Sequence, residues 1–260
     1  MKKTSIITSV LAIALLSGCS KWAGDPITQT FTTSGNYTEL EVEDAFDVVV
    51  SNSVDQVTIT AGDNVMPNVR VEERDNTLKI YIKGWLSNRS GDKKVILPYN
   101  ESLRKVDLSG ASDFQSTQAL KSTKVEVELS GASSFDGIID ANEVEMDLSG
   151  SSSLKGQVTA ASFEIDMSGA SDATIDGTVG TLELSISGSS RIAKKVVGNQ
   201  YSLACDRCIG SLSGSSDVFL HCDGTIQVSI SGSSDLHYTG NANTTGSSTS
   251  GSSNIVHDAL

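Results

Sequence analysis

The chain has 260 residues, which suits one large all-β domain or two small ones, and its formal charge is −13 with a pI near 4.6. That sign excludes the basic footprint a nucleic-acid binder needs. It favours solubility and contact with cations, and does not bear on fold.

The first eighteen residues read as a leader. Lys2 and Lys3 precede the apolar run "IITSVLAIALL", which is too short to span a bilayer well, and the run ends in Leu16-Ser17-Gly18-Cys19. Those four residues resemble a bacterial lipobox, in which cleavage precedes the cysteine and its thiol is acylated. On that reading residues 1–18 are a lipoprotein signal peptide, Cys19 is the lipid anchor that holds the chain to the membrane, and residues 19–29 are a tether. Removing Lys2 and Lys3 takes the charge from −13 to −15. Ser20 stands where an aspartate would favour inner-membrane retention, so the outer membrane is expected, with its face left open.

Residues 30–260 read as one domain, with irregular opening turns over 30–105 and repeat turns over 106–255. The stretches "TELEVEDAFDVVVSNS", "DQVTITAGDN", "NVRVEERDNTLKIYIKG" and "KKVILPYN" alternate apolar and polar residues and are expected strands, with a tight turn in "RDNT".

The repeat is anchored on Ser-Gly. Its glycines are Gly110, Gly131, Gly150, Gly169, Gly188, Gly214, Gly232 and Gly251, spaced 21, 19, 19, 19, 26, 18 and 19 apart. A period near 19 suits one turn of a β-solenoid and is too short for paired helices. Two, four and six residues before each glycine the columns are mostly apolar. Leu129, Val127 and Val125 fill them in one turn, and Arg104, Cys208 and Gly210 are members that depart from Val, Ile, Leu, Met and Phe. Four residues after each glycine the series Phe114, Phe135, Leu154, Ala173, Ile192, Val218, Leu236 and Ile255 is apolar throughout. Period-two alternation places these positions inward and the intervening polar ones outward. The Ser-Gly is then a corner, with glycine for its backbone freedom and serines for close approach of the turns. The expected fold is all-β: a right-handed single-stranded β-helix, or parallel β-solenoid, with a less regular strand-rich N-terminal part. Residues 238–260 are expected to hold the last turn and a cap.

The lipobox, the opening "EVEDAFDVVV", the stretch "KVILPYNESLRKVDLSGAS" and the Ser-Gly-x-Ser turns together resemble the putative auto-transporter adhesin head GIN domain family, common in lipoproteins of Bacteroidetes. The resemblance spans about residues 30–255. It implies a β-helical fold, an exported location and an adhesive or structural role, and brings no catalytic residues with it.

Among chemistry-bearing residues, the outward carboxylates Asp107, Glu128, Asp147 and Asp166, with Glu126, Glu145, Glu164 and Glu183, form ladders at one-turn spacing. Of these, Glu126, Glu128, Glu145, Asp147, Glu164 and Asp166 are weak Ca²⁺ candidates, since Ca²⁺ takes several oxygen ligands. Straight strands, however, do not converge their side chains on one ion, and a solvated face is the simpler reading. Cys205 and Cys222 each precede an aspartate and stand nine and ten residues before their glycines. They are therefore expected at the same height on adjacent turns, a disulfide candidate in an oxidising envelope, with Cys208 as a buried core residue. A zinc site using His221 is the alternative.

Catalysis would need a base beside a serine, and the three histidines, His221, His237 and His257, all come late. Trp85, Tyr81, Arg89, Lys93 and Lys94 form an aromatic and basic group that either stacks on sugars or covers the solenoid's end. The functional expectation is a lipid-anchored, non-catalytic, adhesin-like or structural module without a cofactor, whose partners are the membrane and a glycan or extracellular protein. The alternative is a polysaccharide lyase or hydrolase, which would require Arg191 or Arg207 to meet Asp172 or Asp206 in a cleft; Lys194 and Lys195 complete that basic group.

Overall fold

The computed structural model describes residues 7–10, 24–84 and 91–259. It is the expected all-β fold, a parallel β-solenoid of about eight turns. A regular turn is one long strand plus a corner: Ser134–Leu148, Ser153–Met167 and Asp172–Ile186 lie parallel and in register at the 19-residue period.

Each long strand folds into two faces around a bend. In Ser134–Leu148 the first face buries Phe135, Gly137 and Ile139, residues 140–143 turn the chain, and the second face buries Val144, Met146 and Leu148. The three columns before the glycine are therefore core. Arg104 is the exception: it is exposed beside Glu39, and Leu103 is buried instead. On the opposite face the phenyl rings of Phe114 and Phe135 stack 5.1 Å apart, and a Cβ at Gly137 would lie 2.8 Å from the Phe135 ring. Glycine at that position makes the room the aromatic side chain fills.

The corners explain the invariant serine and glycine. The glycines from Gly110 to Gly251 hold φ between +74° and +85°, a region that penalises a side chain. In addition, a Cβ at Gly150 would lie 2.5 Å from the carbonyl oxygen of Gly131 directly beneath it. That carbonyl accepts the N–H of Ser151 at 2.7 Å, and the bond recurs from turn to turn. The second serine of each corner is buried, and its hydroxyl donates back three residues: Ser133 to Ser130 O at 2.8 Å, Ser152 to Ser149 O at 2.6 Å and Ser171 to Ser168 O at 2.9 Å. The second serine thus locks each corner from within, while the first serine, as at Ser130, Ser149 and Ser187, donates its hydroxyl to a carbonyl of the turn below at 3.4 Å.

Irregular spacings are local. The 21-residue turn carries two extra residues at 116–118, where the Ser116 hydroxyl donates to Gln118 O and accepts from Gln118 N–H. The 26-residue turn loops out after Ala193, forms a small hairpin from Val196–Val197 and Gln200–Tyr201, and rejoins the stack at Leu203 opposite Gly177.

Residues 37–100 join the same sheet, but not in chain order. Among the parallel strands Thr77–Ile82 lies outermost, Glu39–Val42 comes next, and Lys105–Leu108 follows. On the other face Lys94–Pro98, Asp47–Ser51 and residues 113–115 repeat this order. The segment 39–51 is thus a turn slipped between two later ones. Its corner sets Asp44 in the glycine column at φ 70°, where the carboxylate accepts the Ile82 N–H at 2.9 Å. At the outer end pairing becomes antiparallel: Val69–Arg74 forms a hairpin with Thr77–Ile82 through Asp75 and Asn76, both at positive φ, and Pro26–Phe31 pairs with Val57–Gly62. Ile7–Val10, within the expected leader, runs antiparallel to Pro26–Phe31. At the opposite end the inward columns give way to Thr245, Ser247 and Thr249, and the Ser247 hydroxyl donates to Ile226 O and accepts from Val228 N–H. A polar side chain thereby occupies backbone groups that would otherwise invite another strand.

Gly150→Ala and Gly35→Ala separate the two demands on a corner glycine. Both positions have φ near +75°, but Gly35 has open space around its missing Cβ. Urea unfolding is expected to show a loss of about 1 kcal/mol at Gly35, for backbone conformation alone. At Gly150 the loss should be roughly 2–4 kcal/mol, because the neighbouring turn must shift as well.

Candidate functional site

The outward carboxylate columns are partly bridged by lysines. Lys79 Nζ lies 2.5 Å from Glu41 and 2.8 Å from Glu43, Lys105 meets Glu126 and Glu128 at 3.6 and 2.5 Å, and Lys124 meets Glu126, Glu143 and Glu145 at 3.0, 3.7 and 2.5 Å. The sequence reading followed the acids down their columns and missed these cations, which come from neighbouring positions and turns. Such partly exposed pairs contribute up to about 1 kcal/mol each. Farther along, Asp147, Glu164, Asp166 and Glu183 stand without a lysine among them. Burial, then repulsion from Asp166 and Glu145, pushes the Asp147 carboxyl up, and burial followed by Glu183 does the same to Glu164. Among the described residues no group of three or more His, Cys, Asp or Glu is placed to hold a metal ion. The ladder borders a shallow depression of about 390 Å³ lined by Glu41, Glu43, Asp107, Glu128 and Asp147 with corner serines.

The basic residues of the later turns also lie along the stack. Arg191 Nη2 is 2.9 Å from Asp172 on the preceding turn, with both side chains 54% exposed; Lys195 pairs with Asp176, and Arg207 donates to Gln227 at 3.2 Å. These are rungs on an open face. Tyr81 donates its hydroxyl to Glu72 at 3.0 Å, whereas Lys93 is buried, its ammonium 6.0 Å from the Phe46 ring centroid. Lys94 sits in the strand Lys94–Pro98. Trp85 and Arg89 lie outside the described residues, as does Cys19.

The densest polar constellation forms where the 26-residue turn meets the final turns. Tyr201 anchors the hairpin: its ring is fully buried, its hydroxyl donates to Asp258, and its N–H donates to Thr239 Oγ1 at 3.2 Å. His237 Nδ1 reaches the same Asp258 oxygen at 3.0 Å, and its ring stacks on Phe219 at 4.7 Å. The Lys194 ammonium lies 5.6 Å from the Tyr201 ring centroid and 5.9 Å from that of Phe219. Burial opposes ionisation of Asp258, but the hydrogen bonds from Tyr201 and His237 outweigh it and hold the carboxyl below its ordinary range.

Beside it, Thr239 Oγ1 lies 3.0 Å from His221 Nδ1, and His221 Nε2 lies 3.1 Å from Asp223. Asp223 can only accept, so Nε2 carries the proton, and in the neutral ring Nδ1 accepts the Thr239 O–H while Thr239 Oγ1 accepts the Tyr201 N–H. The hydroxyl–imidazole–carboxylate order is that of a hydrolase relay, with the two ring nitrogens exchanged. Thr239, however, is 3% exposed and its oxygen is occupied by a backbone N–H, so the geometry fixes a turn rather than presenting a nucleophile. The pattern was hidden in sequence because Thr239 lies one turn beyond His221 and Asp223.

Cys205 and Cys222 are register partners on adjacent strands, at the same height as expected, and Cys208 falls between Leu182 and Ile226 in the inward column. All three are buried and are free thiols in this structure.

The family described as "Putative auto-transporter adhesin, head GIN domain" matches residues 36–162 and 142–242. The chain belongs to that family. No curated protein is similar to it in sequence. Among solved structures, a putative lipid binding protein from Parabacteroides distasonis shares 18% identity at a TM-score of 0.78, covering 90% of this chain and 97% of its own. A putative adhesin from the same species shares 19% at 0.74, covering 91% and 95%. A putative adhesin from Parabacteroides merdae shares 17% at 0.69, covering 90% and 97%. At these identities the likeness concerns the fold. Family membership and fold together describe an adhesin-like module of the cell envelope.

The Asp258 contacts predict an acid-dependent contribution to stability. Because the folded carboxyl titrates below the unfolded value of about 3.9, the stabilisation is complete above that value and is lost as pH falls through the folded one. Thermal unfolding between pH 7 and pH 2 should show Asp258→Asn less stable than the parent near neutrality, with the gap closing at the acid end. A constant gap would show that the carboxylate charge is not what holds the hairpin.

Proposed function

We propose that the protein is a lipid-anchored, non-catalytic, adhesin-like module, held at the outer membrane through Cys19 and binding a glycan or an extracellular protein along its faces. The observation that carries this reading is the placement of Arg191. It meets Asp172 across neighbouring strands on an open face, where a β-helical lyase or hydrolase would need a basic residue and a carboxylate facing each other across a cleft. Lys195–Asp176 and Arg207–Gln227 repeat that arrangement.

Long in-register rows suit recognition of an extended partner. They supply the same polar group at intervals of about 4.8 Å, so many weak contacts can add along a repeating ligand. Family membership supports an adhesive role, and the Leu16-Ser17-Gly18-Cys19 motif supports the anchor. No cofactor enters this reading.

The test is an array of glycans and matrix proteins probed with the purified protein, with and without Ca²⁺, together with an assay for glycan cleavage. Saturable binding to a restricted set of ligands without turnover is expected. Depolymerisation of any glycan would overturn the non-catalytic reading and favour the polysaccharide-acting alternative.

A further inference from the structure

The strand register places Cys205 opposite Cys222 with no residue between them. Both side chains point inward at the bend of the turn, in a column that runs Ala141, Ala160, Val179, Cys205 and Cys222. Their exposures are 4% and 0%. Strands in this arrangement run about 4.8 Å apart, inside the Cα separation of about 4.4–6.8 Å that a disulfide spans. A hydrogen bond with Cys208, then burial, pushes the Cys205 thiol up against the opposing effect of Cys222, and a hydrogen bond with Cys205, then burial, pushes the Cys222 thiol up. The column lines the inside of the bend, and four of its five residues are Ala or Cys. Two sulfurs facing each other at that point fill the space of two such side chains.

We propose that Cys205 and Cys222 are joined by a disulfide that staples the end of the 26-residue turn to the turn above it, leaving Cys208 as a buried thiol. In forming the bond the two thiols give up two protons and two electrons. A disulfide oxidant, protein or small molecule, accepts them and leaves as two thiols. Thiolate attack requires solvent access that the folded state denies, so the bond forms while the later turns are docking. The staple closes a loop of 17 residues at the place where the repeat departs furthest from its period. The oxidant's presence during folding rests on the envelope reading given above; the facing geometry does not.

Proteolysis can resolve all three cysteines. Cleavage after Lys195 and Arg207, and before Asp206, Asp217 and Asp223, puts Cys205 in 196–205, Cys208 in 208–216 and Cys222 in 217–222. The full chain is recovered from the envelope of an exporting host, unfolded in urea and alkylated without reduction, then digested and analysed by mass spectrometry. A second portion is reduced, unfolded in urea and refolded with glutathione disulfide before the same treatment. Peptide 196–205 linked to 217–222, with Cys208 alkylated, is expected in both. A bond seen only after refolding supports the staple and contradicts an oxidising location.

Alkylation of Cys205 and Cys222 in both portions, or a bond that includes Cys208, overturns the proposal. Reduction should lower the melting temperature of the parent and of Cys208→Ser by roughly 6–12 °C and leave that of Cys205→Ser unchanged.

Discussion

The structure depends on one contact repeated up its length: the approach of each corner glycine to the carbonyl of the glycine beneath. A Cβ at Gly131, Gly150 or Gly169 would lie 2.4–2.5 Å from that oxygen. Its absence lets the next residue's N–H reach the same carbonyl at 2.7–2.8 Å, so corners stack at the spacing of the strands and the ladder is unbroken around the bend. The buried serine two residues on fastens the corner from inside by donating to the carbonyl three residues back. With corners fixed at one height, the strands between them are forced into register, and inward columns become continuous stacks such as Phe114 on Phe135. Stability then comes from apolar burial shared between turns, and no turn could keep its core alone.

The same constraint shapes the outer surface. A register that aligns Val127 with Met146 also aligns Glu128 with Asp147, so like charges meet in columns and the chain inserts Lys79, Lys105 and Lys124 beside them. Among the Ser-Gly repeat turns variation is confined to bulges and insertions. The 26-residue turn is the largest, and Tyr201, His237 and Asp258 tie it to the final turn. The hairpin thereby displays Val196 and Val197, exposed by 44% and 58%, on a rigid base.

Much of this was legible in the sequence. The Ser-Gly spacing and period-two alternation led to the solenoid, the inward columns and the height of Cys205 and Cys222, because in-register stacking turns sequence period directly into position. Of the face that holds Phe135, Gly137 and Ile139, only the first column was read, since Gly137 and Gly156 interrupt the apolar series before Ile139 and Val158 are reached. The slipped turn at 39–51 was not legible, because alternation says which side a residue faces and not which strand lies next to it. The corner at Asp44 and Ala45 carries no glycine to mark it. The networks around Asp258 and Thr239 escaped for a related reason. Tyr201 reaches Asp258 and Thr239, 57 and 38 residues away, through an insertion whose path the repeat does not specify.

Native-state hydrogen exchange tests the central claim, that the corners are as firmly built as the strands. The amides of Ser151, Ala170 and Ser189, bonded to glycine carbonyls of the turn below, should exchange with the same opening free energy as the strand amides of Met146 and Ile165. Corner amides that exchange by local fluctuation, orders of magnitude faster than the strands they join, would show that the stacked corners do not hold the register, and would contradict the account.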